Sequence, residues 1–208
     1  MTHTLHRTGS KESLGKDFVM LAMPVKGVNK EGSKEKLIEI LEIGLKNGAV
    51  NAGDTQKGNI FTIGVDGLKR ELEDGGVLNM VFTNEESVIN TLKEVKELDN
   101  GMSVVVTGLL EYTKECCSKA GVETHTVANS LGVWGKVEKL QEETEDNIMT
   151  MCGHGLITAQ LIYDLAERVK RGSLTLEKAG IEISKPCVCG ACNPERASEL
   201  IAKFIEEN

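Results

Sequence analysis

The sequence predicts an α/β fold, a mainly parallel sheet flanked by helices, with a carboxy-terminal helical segment that carries a cysteine loop. Three observations lead there. From Asp17 onward, apolar runs of strand length alternate with stretches of helical period, the pattern of strands joined by crossover helices. Phe18–Met23 and residues 103–106 are almost continuously apolar, as strands buried on both faces are. The 208 residues suffice for one ordinary domain with its own core. We therefore expect an amino-terminal segment, 1–16, followed by a single α/β domain, 17–208.

The elements follow in order. Pro24 stops the first strand, and residues 27–32 read as a polar loop. Ser33 offers a cap to a helix whose Leu37, Ile40, Leu41 and Leu45 share one face before Asn47-Gly48 ends it. Residues 60–65 alternate as a strand would, and Asp74-Gly75-Gly76 turns into a strand over 77–82. Thr83-Asn84 then opens a helix with Val88, Leu92, Val95 and Leu98 inward and acidic residues in its first turn, where they suit the helix dipole. The clearest buried strand is 103–106, followed by a helix over 110–120 and an alternating strand over 122–127. Gly132 to Gly135 is a loop, and 141–146 is an acidic, solvated stretch. One more strand is expected over 147–151. A helix with Ile157, Leu161, Leu165 and Val169 at four-residue spacing follows, then a shorter one over 176–184. Asn193 as cap and Pro194 at the first helical position start the last helix, with Ala197, Leu200, Ile201 and Phe204 as its buried face.

Composition narrows the function. There is no apolar run of about 18 residues, and residues 1–16 lack the hydrophobic core of a secretory signal, so a cytoplasmic location is expected. A net charge of −8 with one Trp, two Tyr and four Phe supplies neither the basic footprint nor the stacking surfaces that nucleic-acid binding uses. The expected partner is a small-molecule substrate, not nucleic acid or membrane, with a homodimer as the candidate assembly. Residues 27–32 and 64–67 do not match a phosphate-binding or dinucleotide-binding loop.

The six cysteines are the lead, because in a reducing compartment thiols serve as ligands, catalysts or packing. Cys187-x-Cys189-x-x-Cys192 lies outside any apolar period, on a loop with small neighbours. Soft thiolates so placed suit an iron–sulfur cluster such as [4Fe–4S], or zinc as the alternative. Zinc sites favour four closed ligands in paired motifs, and only one C-x-x-C is present, so a cluster completed by a distant thiol fits more easily. Cys152 is the candidate fourth ligand, at an expected strand-to-helix junction on the edge where parallel sheets bind ligands. It is equally a candidate catalytic thiol, since a helix N-terminus favours thiolate. Cys116 and Cys117 point about 100° apart on a helix, and packing explains at least one of them.

Met151-Cys152-Gly153-His154-Gly155 resembles the motif around the catalytic cysteine of the proline racemase and diaminopimelate epimerase superfamily. The resemblance spans about five residues. It implies that Cys152 removes or returns an α-proton, and that a second cysteine stands in a similar glycine turn, for which Cys189-Gly-Ala-Cys192 is a loose match. It also implies antiparallel strands and a longer chain, unlike the alternation read above.

The remaining candidates are weighed against plainer roles. His154 can carry a proton near neutral pH or orient a thiolate; otherwise it caps a carbonyl in a turn. Thr83, Thr107, Gly108, Asn129 and Ser130 fall at strand ends, where turns attract such residues in any case. His3, His6 and Arg7 lie in a terminal segment of a kind that is usually mobile, and the register of His125 leaves its side open. The sequence thus points to a thiolate-ligated metalloenzyme of lyase or sulfur-transfer type. Its metal ligands are Cys152, Cys187, Cys189 and Cys192. Cys152 and His154 are catalytic, and Thr107, Gly108, Ser130, Gly153 and Gly155 line the substrate site. The alternatives are a metal-free enzyme acting through Cys152, and a protein that carries or senses metal or redox state.

Overall fold

The computed structural model describes residues 3–141 and 143–208. A 3-10 turn (His3–His6) and helix α1 (Lys11–Leu14) lead into strand β1 (Phe18–Met23) and helix α2 (Ser33–Lys46). The hairpin β2 (Asn51–Asp54) and β3 (Gly58–Asn59) precedes α3 (Ile60–Glu71), β4 (Leu78–Phe82), α4 (Glu85–Leu98), β5 (Ser103–Thr107) and α5 (Leu110–Ala120). A 3-10 turn (Val137–Lys139) and four helices finish the chain: α6 (Glu143–Met149), α7 (Ala159–Lys170), α8 (Leu176–Ser184) and α9 (Pro194–Glu207).

The sheet has the order β3-β2-β4-β1-β5, and every neighbouring pair is antiparallel. This corrects the expected mainly parallel sheet. The local rule still holds: β1 and β2, linked through α2, run in the same direction, as do β4 and β5, linked through α4. The two units interleave, however. β4 lies between β1 and β2, and β1 lies between β4 and β5, which is the split βαβ arrangement. Alternation of strands and helices fixes the direction within each unit and is silent on how two units interleave.

Strand periodicity then divides the core. Phe18, Met20 and Ala22 of β1, with Leu78, Met80 and Phe82 of β4, face helices α2 to α5. Val19 and Val81 point the other way, into a second cluster built from α6 to α9 and the cysteine-bearing segments. β1 is thus buried on both faces, as its unbroken apolar run predicts. The Val-rich β5 is not: it is an edge strand, half-buried along its length. Cys116 and Cys117 are both buried among the helices on the first face.

Three expected strands are otherwise. Residues 60–65 belong to α3, which is kinked at Gly64 (φ 71°); Asn59 accepts the Phe61 N–H at 2.9 Å while Thr62 accepts the Asn59 N–H at 3.1 Å, a reciprocal cap that sets a helix start. Residues 147–149 belong to α6, and Ile148 and Met151 are buried at helical spacing. Residues 122–127 form no regular element, and the stretch 123–141 is exposed, including Trp134. The short β2 was not foreseen, since Asn, Gly and Asp are poor strand formers. Two helix starts are as expected, with Asn84 capping α4 and Asn193 with Pro194 starting α9; Ser33, expected as a cap, is instead the first residue of α2, whose N-cap is Gly32. No helix among the described residues is long and apolar enough to cross a membrane.

Candidate thiolate site

The four cysteines singled out in the sequence meet on the second sheet face, and all four are buried. Cys152 lies in the turn between α6 and α7, and Cys187, Cys189 and Cys192 lie in the loop between α8 and α9. The Cys187 and Cys189 sulfurs are 3.7 Å apart, and the Cys187 thiol also donates to the Cys152 sulfur. The His154 Nδ1 lies 3.8 Å from the Cys189 sulfur, with the ring at the surface. Cys192 sits beside this group, its thiol next to the Ser184 hydroxyl. Among the described residues no three His, Cys, Asp or Glu side chains are set around a cation position. The sulfurs are gathered without being drawn about one point.

Cys152 is the acidic member. The Cys187 thiol donating to it lowers its pKa to about 6, against the opposing effect of burial, and the backbone N–H groups of Leu156 and His154 help. Gly153 and Gly155 both take left-handed φ values, 65° and 69°, which lets the turn aim successive N–H groups inward. This differs from the expected source of acidity. α7 begins only at Ala159, capped by Thr158, so Cys152 is not at a helix N-terminus and follows a helix, not a strand. Two of its neighbours resist ionisation: burial pushes Cys192 up to about 12, and Cys187 is raised by donating to Cys152 and Cys189.

Strand β2 holds the cysteine loop. A Cβ on Gly53 would lie 2.8 Å from the Cys189 carbonyl carbon and the Gly190 nitrogen, and one on Gly190 would lie 2.4 Å from Ala52 and Gly53 backbone atoms. Only glycine at both positions permits this backbone-on-backbone contact. The Asn51 Nδ2 donates to the Cys192 carbonyl at 2.8 Å. The Asn59 Nδ2 reaches the carbonyls of Ser184, Lys185 and Cys187 at 3.2, 3.1 and 2.9 Å. The Ser184 and Lys185 carbonyls, at the end of α8, have no partner within the helix, and Asn59 gives each a donor.

A buried charged group secures the site from the amino-terminal side. Arg7 pairs with Asp17 through Nη1, and its Nη2 donates to the Met151 carbonyl at 3.1 Å and to the Ala191 carbonyl. Each acceptor immediately precedes a cysteine. Arg196 binds the other Asp17 oxygen at 3.0 Å, the Thr8 carbonyl at 2.6 Å and the Ser13 hydroxyl at 2.9 Å. Asn193 donates to Asp17 at 3.2 Å as well. Burial lowers the Arg196 pKa, and Asp17 opposes that. Arg7 pulls the Cys192 pKa down against the larger effect of its burial.

The sequence reading missed this group. Arg196 carried a signal, since it shares the four-residue spacing of Leu200 and Phe204 on the inward face of α9. Arg7 carried none: it lies in a terminal segment of a kind that is usually mobile, yet its side chain is 6% exposed. The other candidates are engaged elsewhere. The Thr107 hydroxyl accepts from Thr4 at 3.1 Å. Gly108 packs against Phe18. Ser130, in the exposed stretch, accepts the Gly132 N–H at 3.2 Å. His125 is exposed and bonds Thr126 at 2.9 Å, and His6 is exposed. The His3 side chain lies outside the described residues.

Comparison with protein-family models, with curated proteins and with solved structures found no match.

Proposed function

We propose that the protein is a thiolate-ligated metalloenzyme, cytoplasmic, acting on a small polar or anionic metabolite, with Cys152, Cys187, Cys189 and Cys192 as its metal-ligating residues. The observation that carries this reading is the convergence of these four thiols, from two separate loops, in one buried place where three of them touch. Apolar packing does not call for sulfur in contact with sulfur, and soft metals do. Free thiols in this number also accord with a reducing compartment. A metal held here supplies Lewis-acid chemistry of the kind used in dehydration or sulfur transfer. The chain's own contributions are the ligating sulfurs, the inward N–H groups of the Cys152 turn, and His154 at the surface beside Cys189 as the group placed to carry a proton.

The spacing bears on which metal. Two thiolates on one tetrahedral ion, each at about 2.3 Å, stand about 3.8 Å apart, and the Cys187 and Cys189 sulfurs are at 3.7 Å. That favours a centre in which one ion takes both thiolates, as zinc does and as each iron of a [2Fe–2S] cluster does. A [4Fe–4S] cluster takes one cysteine on each iron, so it requires these two thiols to separate. The metal-free alternative, Cys152 acting as acid or base, is supported by its lowered pKa, and the complete burial of its side chain weighs against it.

The test is purification without oxygen followed by quantification of iron, acid-labile sulfide and zinc. The expected result is a stoichiometric metal content that Cys187→Ser and Cys189→Ser abolish. A folded chain without iron or zinc, in which Cys152 alone is rapidly alkylated, overturns the reading in favour of the metal-free enzyme.

A further inference from the structure

The buried group formed by Arg7, Asp17 and Arg196 has an unbalanced charge. The three side chains are 6%, 0% and 1% exposed, and Asp17 is the one carboxylate paired with either arginine among the described residues. Two guanidinium ions and one carboxylate give this buried group one net positive charge, and a buried ion without a partner of its own is costly. The Arg7 Nε–H is also buried and has no partner among the described residues. The same guanidinium bonds the carbonyls of Met151 and Ala191, and so ties the Cys152 turn to the cysteine loop across more than 180 residues of separation between Arg7 and Ala191. A side chain that spans both ligand-bearing segments while carrying excess buried charge fits one kind of neighbour, an anion made by those segments.

We propose that Arg7 is a positioning residue of the thiolate site, fixing its two halves against each other and, with Arg196, supplying the positive charge that an anionic multi-thiolate metal centre requires. This rests on the reading that the four cysteines hold a metal. It makes residues 3–16 part of the site and not an appendage: α1 meets Arg196 through Ser13, and Thr8 meets Arg196 through its carbonyl and Asn147 through its hydroxyl at 2.6 Å. The role of Arg7 is that of an outer partner of metal ligands, which orients them and stabilises their charge. The planar fork is needed for two carbonyls and a carboxylate at once, and a lysine cannot reproduce it.

The test uses the full chain with Co2+ as the probe, since thiolate-bound cobalt gives an intense sulfur-to-metal charge-transfer band. Wild type, Arg7→Met and Arg7→Lys are titrated without oxygen against a competing chelator. In parallel, alkylation of the individual cysteines in metal-free protein is followed by mass spectrometry. Arg7→Met is expected to bind Co2+ about 10–100-fold more weakly and to alkylate at Cys152, Cys187, Cys189 and Cys192 faster than wild type, with Cys116 and Cys117 unchanged. Arg7→Lys should recover part of the affinity through its charge but keep the faster alkylation. Wild-type affinity, band and alkylation rates in Arg7→Met overturn the inference and leave the metal reading standing. If wild type gives no charge-transfer band, the metal reading fails. Alkylation then decides for Arg7: unchanged rates overturn its role, and faster rates sustain its tie between the two loops. Should Arg7→Met not fold, Arg7→Lys, which keeps the Asp17 pair, takes its place, and wild-type alkylation rates in that variant overturn the inference.

Discussion

Cys152 carries the most testable chemistry of any single residue here. Its thiol is held near pKa 6 by the Cys187 donor and the turn N–H groups, so metal-free protein should show one thiolate titrating about three pH units below an ordinary cysteine, by ultraviolet absorbance. Cys152→Ser should remove that step. Because the folded pKa lies below the unfolded one, the stability it contributes is fully present above pH 9 and is lost as pH falls through 6. Cys116 runs the other way: burial raises it to about 11, so its contribution is fully present below pH 9 and is lost as pH rises through 11. Asn79 poses a different question. Its side chain is buried on the cysteine face of β4, and neither end of its amide has a partner among the described residues. Removing a buried polar group without partners relieves about 1–3 kcal/mol, so Asn79→Leu should raise the urea midpoint of metal-free protein. A lowered midpoint would show that the amide is satisfied in solution.

Among the elements, the short β2 does more than its length suggests, because it is the platform for the cysteine loop. Gly53→Ala inserts a methyl group 2.8 Å from loop backbone, an overpacking worth about 1–3 kcal/mol, and it should displace Cys189 and weaken metal loading together with stability. Asn59→Ala removes the α3 cap, worth about 1 kcal/mol, and takes the side-chain donor away from the Ser184, Lys185 and Cys187 carbonyls; Ser184 and Cys187 keep the backbone donors of Cys187 and Gly190. Chemical denaturation should register both losses. The same residues show why β2 was not legible. Asn51, Gly53 and Asn59 are chosen for contacts with a loop more than 120 residues away, and propensity sees only neighbours in sequence. Where local chemistry decides, reading succeeded: the caps of α4 and α9, the apolar faces, and the extent of α5 and α8 all follow from residues within one turn. Residues 60–65 alternate like a strand, and the reciprocal cap of Asn59 and Thr62 overrides that period.

At the scale of the whole molecule, the sheet separates two tasks. One face is packed by α2 to α5 into an ordinary apolar core, and the other receives α6 to α9 with the four thiols and the buried arginines. The cysteine pattern was legible because the spacing of Cys187, Cys189 and Cys192 is written into a six-residue stretch, whereas the interleaving of the two βαβ units depends on pairings between distant strands that no local pattern encodes. The charge balance of the site, set by Arg7, Asp17 and Arg196 from the two ends of the chain, was hidden for the same reason. These features lead to one claim, that the gathered sulfurs ligate a metal. X-ray absorption at the metal edge of the loaded full-length protein tests it most directly. A thiolate-ligated metal gives a first shell dominated by sulfur at about 2.3 Å. A shell of nitrogen and oxygen alone, at about 2.0–2.2 Å, would contradict it.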